Sequence, residues 1–240
     1  TTWLKQVEFA EQKLKQAEED LCYIPQGGTA VGTGINAPEG FGPAIAEQLS
    51  QQTGFPLRSL EHLFEAQNAI DRPLAYSAAL RGYAVVLMKL CNDIRWLGSG
   101  PHHGLSELAL PELQPGSSIM PGKVNPVICE SVMMISTQVM GLDQSNQIAG
   151  QSGNFQLNVM MPLVAKNLFE MGSLLSQGTH VLVEKVLEGM HFNTETVAAQ
   201  VAVNPMLVTA LAPIIGYQAA AKIAQEAEAT GRSIEAIALE

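Results

Sequence analysis

The run from Asp71 to Leu97, DRPLAYSAALRGYAVVLMKLCNDIRWL, limits the fold more than any other stretch. Its only proline, Pro73, stands where a first helical turn tolerates one, and Gly98, Gly100 and Pro101 follow its end, so it reads as one long helix with a start and a stop. Rich in Ala, Leu, Val and Met, it is close to apolar all round, which suits a place between other helices better than a solvent-facing one. A helix of this length is ~40 Å long, about the diameter of a small domain. Such a rod needs neighbours of similar length.

The sequence offers them. Two more long apolar helices are expected, from about Pro126 to Met140 and from about Leu157 to Leu187, with Pro162 placed to start or kink the second. Apolar residues recur at helical spacing among Lys, Glu and Gln from Trp3 to Leu21, giving an amphipathic helix that stops near Pro25. A short helix is expected around Pro43 to Gln52, another opens at Asn204 and Pro205, and Gly216 to Gly231 ends with a small acidic one. No strand-like alternation or βαβ punctuation appears, so the fold class is all-α, a bundle of long helices. At 240 residues the chain is large enough to bury a core without staples. The surplus of apolar helix surface predicts self-association into a homo-oligomeric bundle, although mutual burial within the chain would also absorb part of it.

A net charge of −10 argues against a nucleic-acid or anionic-membrane partner, because both draw on clustered Lys and Arg. Any anionic substrate must therefore be held by local charge. Cys22, Cys91 and Cys129 are scattered without metal-ligand spacing and read as small buried hydrophobes of a reduced compartment, so neither a metal nor a cofactor is called for. No uninterrupted apolar run reaches the ~20 residues of a membrane span and no signal segment opens the sequence, which leads us to expect a soluble, cytoplasmic protein. The first residue is Thr1 rather than Met, and a fragment or processed chain is expected on that ground.

Two glycine-rich stretches stand out against the helices. GGTAVGTGIN, Gly27 to Asn36, has the backbone freedom to turn tightly or approach a ligand closely, and equally that of an ordinary helix-to-helix loop. GSSIMPGKVNP, Gly116 to Pro126, is more pointed. Pro115, Pro121 and Pro126 stiffen a loop that Gly116 and Gly122 loosen, while Ser117 and Ser118 offer hydroxyls, Lys123 a cation and Asn125 an amide. That set can grip a carboxylate and place a base beside it. Helix-capping serines and a solvated lysine would use the same letters.

GSSIMPGKVNP resembles the signature loop of the fumarase/aspartase superfamily of lyases, and Gly122 makes it more similar to class II fumarate hydratases than to aspartases. GGTAVGTGIN, KLCNDIRWLGSGP (89–101), SGNFQLNV (152–159) and IIGYQAAAKIA (214–224) agree in order and spacing, so the resemblance covers essentially the whole chain. It implies a long-helix bundle whose helices pack with those of three other subunits into a tetrameric core, with residues 1–190 in the central bundle domain and 191–240 starting a small C-terminal helical domain. It also implies reversible anti hydration of a small dicarboxylate, fumarate, to malate through an aci-carboxylate, at sites built from three subunits. Carried onto this sequence, it makes Ser117 the catalytic base and Glu130 the residue that orients a histidine, with Ser118, Lys123 and Asn125 binding the substrate carboxylates. A serine can act as a base only if its charged form is favoured, which backbone N–H groups and nearby cations would do. Proton loss beside a carboxylate builds up negative charge, and fixed donors such as Lys123 and Asn125 meet that need.

Departures accompany the resemblance. Where the family usually carries an arginine, this chain reads Pro101-His102-His103-Gly104, while Glu107 keeps its place. The family's histidine motif lies upstream of this chain, and its small C-terminal domain extends past Glu240. The alternatives are an aspartate ammonia-lyase of the same superfamily and a non-catalytic helical oligomerisation module.

Overall fold

The computed structural model describes residues 1–240, with the side chain of Ala66 excepted. The chain divides into two units, one formed by Thr1–Asp93 and Pro115–Glu188, the other by Ile94–Gln114 and Gly189–Glu240.

The first unit holds α1 (Thr2–Leu21), β1 (Tyr23–Ile24), α2 (Phe41–Thr53), β2 (Arg58–Ser59), α3 (Leu63–Asn68), α4 (Asp71–Leu97, as far as Asp93), α5 (Val127–Gly150) and α6 (Met161–Leu182), the last continued by a π-helical turn, Val183–Leu187. Its long helices bury narrow stripes. In this part of α4 the buried positions are Ser77, Leu80, Ala84, Leu87, Leu90 and Cys91; in α5 they are Cys129, Val132, Ser136, Val139, Asp143, Asn146 and Ala149. Spacings of three and four predominate in both, the repeat that lets long helices lie nearly parallel with one seam in contact. A seam of that width leaves the flanks free, so Val85, Met134, Ile148 and Phe169 stay exposed. The expectation of helices too apolar for water holds, and the reason is that each uses only one stripe within the chain.

Part of the seam is polar. Ser77 Oγ donates to Asp143 Oδ1 at 2.6 Å, Asn146 Nδ2 to Ser77 Oγ at 2.9 Å, and Asn167 Nδ2 to Asn146 Oδ1 at 2.9 Å. The second carboxylate oxygen of Asp143 takes Gln147 Nε2 at 2.7 Å and Arg81 Nε at 2.9 Å. The chain of bonds crosses α4, α5 and α6 and satisfies groups that would otherwise be costly in an apolar seam. Farther along the two helices Cys91 and Cys129 meet, and that thiol–thiol hydrogen bond together with burial pushes the Cys91 thiol well above its ordinary range. Both behave as the buried hydrophobes expected of them.

Several boundaries differ from expectation. α5 continues ten residues past Met140 to Gly150, since its buried spacing does not break there. α6 begins at Met161 with Pro162 in its first turn, so the proline starts the helix rather than kinking it. Residues 157–160 belong to the connection, where the buried Asn158 donates to Ala149 O at 3.0 Å and accepts from Met160 N at 2.9 Å, tying the end of α5 to the entry of α6. β1 pairs in parallel with β2 over two residues each, too short for alternation to show in sequence. By length and composition α4 would suffice to cross a membrane, although no uninterrupted apolar run is that long. The interrupting charges are paired, Arg81 with Asp143 and Lys89 with Asp93.

The second unit comprises the last turn of α4, β3 (Leu108–Ala109), β4 (His191–Phe192), α7 (Thr194–Ala202), a 3₁₀ turn (Pro205–Ala210), α8 (Ala212–Ile215), α9 (Tyr217–Thr230) and α10 (Ile234–Ala238). β3 and β4 are antiparallel, Leu108 opposite Phe192. Val208, Ala220, Ala227, Ile234 and Ile237 form a small core of their own. Asn204 caps the 3₁₀ turn by accepting from Met206 N at 2.9 Å, and Ser233 caps α10 by accepting from Ala236 N at 3.2 Å.

Candidate active site

The loop from Gly116 to Pro126 leads directly into α5, and its two ends are fastened to each other. Gly116 N–H donates to Lys123 O at 2.6 Å, and Asn125 Nδ2 donates to Gly116 O at 3.1 Å. Glycine is required at 116 by closeness rather than by an unusual dihedral. A Cβ there would lie 2.5 Å from Lys123 O. Gly122 supplies the turn at the far end with φ +79°. Ile119 and Met120 between them, and Val124 just beyond Gly122, are exposed.

Within the loop Ser117 is half-buried, and its Oγ accepts from the backbone N–H groups of Ile119 and Met120, both at 3.1 Å. Two donors aimed at one oxygen favour its anionic form, the condition a serine base needs. The sequence could name the serine. Which amides reach it depends on the turn that Ile119 and Met120 make, and no pattern of residue types announces that.

The other expected residues fall as follows. Ser118 and the Lys123 side chain are exposed, Asn125 is half-buried at the neck, and Glu130 is half-buried in the first turn of α5. The structure thus gathers Gly116, Ser117, Lys123 and Asn125 into one closed loop and sets Glu130 a turn beyond it. His102 and His103 are exposed in the second unit. Glu107 acts there through its backbone, its N–H donating to Leu97 O at 2.9 Å and its carbonyl accepting from Asn193 N at 2.9 Å.

GGTAVGTGIN takes positive φ at Gly27, Thr29, Gly32, Gly34 and Asn36. Its close approach is to protein: a Cβ on Gly32, at φ +103°, would lie 2.5 Å from the backbone of Phe64 in α3. The ordinary-loop explanation accounts for that glycine. Among the described residues no group of three or more His, Cys, Asp or Glu side chains is arranged to hold a metal ion.

A family model described as Lyase matches residues 1–141, more than half of the chain. The chain belongs to that family, the fumarase/aspartase superfamily of lyases. The chain also matches a second model, Fumarase C C-terminus, over residues 207–240. It is 48% identical to fumarate hydratase class II 2 of Pseudomonas aeruginosa over 238 residues, which are 99% of this chain and 52% of the relative. Fumarate lyase:delta crystallin from Brucella melitensis superposes with a TM-score of 0.94 at 38% identity, over 99% of this chain and 52% of that one. Recombinant class II fumarase from Schistosoma mansoni does so with 0.93 at 36% identity, over 99% and 53%. The all-α fold is that of these lyases. The chain spans about half the length of the curated relatives it matches.

Proposed function

We propose that this lyase hydrates fumarate reversibly to malate, as a class II fumarate hydratase, with Ser117 as the base. The observation that carries the reading is the pair of backbone N–H groups converging on Ser117 Oγ, both at 3.1 Å, within a loop that also carries Lys123 and Asn125. In the dehydration direction the Ser117 oxygen takes the proton from the carbon beside a malate carboxylate. The electron pair moves into that carboxylate, and Lys123 stabilises the aci-carboxylate that results, with Ser118 and Asn125 binding the carboxylates. The hydroxyl then leaves the next carbon from the opposite face as water, taking up one proton from an acid or a positioned water to match the one Ser117 removed. Glu130 orients a histidine of the site. Exposed Ile119 and Met120 lie on the part of the loop that would close over substrate and exclude water.

The working form proposed is a homotetramer, in the cytoplasm, with residues 1–190 in the central bundle and 191–240 in the C-terminal part. The exposed flanks of α4, α5 and α6, with Phe169 81% accessible and Met134 67%, support a core completed by other copies. Fumarate hydration is followed by loss of the alkene absorbance, with Ser117→Ala as control. The variant should lose turnover by roughly three orders of magnitude or more while its melting temperature holds, because Ser117 bonds only within its own exposed loop. Unaltered turnover removes Ser117 as base. Aspartate formed from fumarate and ammonia would instead make the protein an ammonia-lyase.

A further inference from the structure

We infer that Asn125 is a positioning residue for Ser117, in addition to any contact it makes with substrate; the inference rests on the reading of Ser117 as base. Residues 117–122 form an excursion with little to hold it. Ser118, Ile119, Met120, Pro121 and Gly122 are all exposed, Ile119 by 86%. The cradle around Ser117 must therefore be fixed from its ends. One end is Gly116, whose N–H is held by Lys123 O and whose carbonyl is held by Asn125 Nδ2. The other is the entry to α5, where Asn125 O accepts from Val127 N at 2.8 Å. Asn125 therefore joins the residue just before the base to the start of a long, packed helix, by its side chain on one side and its backbone on the other. Both hydrogens of its amide are donors, so one can stay on Gly116 O while the other reaches a ligand. Gripping substrate and holding the base become functions of one side chain.

Amide hydrogen exchange without substrate tests this. Asn125→Ala removes the donor, and Asn125→Asp keeps the shape but sets a carboxylate against Gly116 O. Both should speed exchange at Gly116, Ile119 and Met120 by roughly five- to tenfold, the range one lost hydrogen bond gives, and leave Val132 and Val139 in α5 unchanged. Asn125→Gln, with its amide restored on a longer arm, should recover part of the protection. Unchanged exchange at the three loop amides would show that Asn125 serves substrate alone and overturn the inference. A rise that extends equally into α5 would also overturn it, since that is the mark of general destabilisation. In steady-state assays the same variants should lower kcat beyond their effect on KM. The exchange result stands by itself: a protein that fails to hydrate fumarate refutes the proposed function, and only unmoved or global exchange refutes the role of Asn125.

Discussion

Replacing Gly116 by alanine should disable the loop while sparing the fold. The added Cβ would sit 2.5 Å from Lys123 O, 2.9 Å from Lys123 C and 3.1 Å from Asn125 N, all of them backbone atoms. Ordinary contact starts near ~3.5 Å, so the two sides of the neck must part by roughly 1 Å. That separation breaks the 2.6 Å bond from Gly116 N to Lys123 O. The local cost is about 1–3 kcal/mol, as for other overpacked sites. It can be relieved by opening a loop that buries little, so the melting temperature should fall by no more than about 4 °C. Catalysis has no such escape, because a catalytic group misplaced by ~1 Å loses roughly a hundredfold. The assay is fumarate hydration by Gly116→Ala beside the parent protein, with a thermal melt on each. A kcat within about threefold of the parent, the melt being normal, would refute the claim that the closed neck sets the base. A large drop in melting temperature would refute the claim that the loop is energetically separate from the bundle.

Two predictions concern the bundle itself. Ser77→Ala strands Asp143 Oδ1 and Asn146 Nδ2 in a buried seam and should cost about 2–4 kcal/mol in urea unfolding; a loss under about 0.5 kcal/mol would mean that the network is rearranged without penalty. Hydrogen bonds from Lys89 and then Trp3 hold the Asp93 carboxyl below its usual range, so its contribution is present above the ordinary carboxylate value near ~4 and fades as pH falls through the lowered one. Asp93→Asn should therefore be less stable than the parent at neutral pH and indistinguishable from it in strong acid, and an equal gap at both would contradict the pairing.

Much of the bundle was legible because long helices announce themselves. The limits of α4 follow from Pro73 at one end and Gly98 and Gly100 at the other, signals that act through one or two dihedrals. The periodicity of α5 leads one to end it near Met140, ten residues short, since Gly141, Asp143, Ser145 and Asn146 look like a helix ending. They continue it because Asp143 and Asn146 fall on the buried stripe and find partners on α4 and α6. The short helices α3, α7 and α10 leave no clear periodic signal, because helices of so few turns take their stability from packing rather than from their own periodicity. In the loop, Ser117, Lys123 and Asn125 were identified by type and resemblance, whereas the bond from Asn125 to Gly116 joins residues nine apart and left no trace in either letter.

The sequence by itself determined that the chain is helical, where α4 starts and stops, and which loop sets two serines, a lysine and an asparagine among glycines and prolines. Each of these depends on residues near in sequence, through helical periodicity, proline and glycine geometry, or a motif of neighbouring side chains. Only the tertiary structure decided which stripe of each rod is buried, how Ser77, Asp143, Asn146 and Asn167 satisfy one another across three helices, and that two backbone amides and a closed neck surround Ser117. Those are distances between groups that the chain must fold to bring together, and hydrogen bonding at ~3 Å is decided by position rather than by composition.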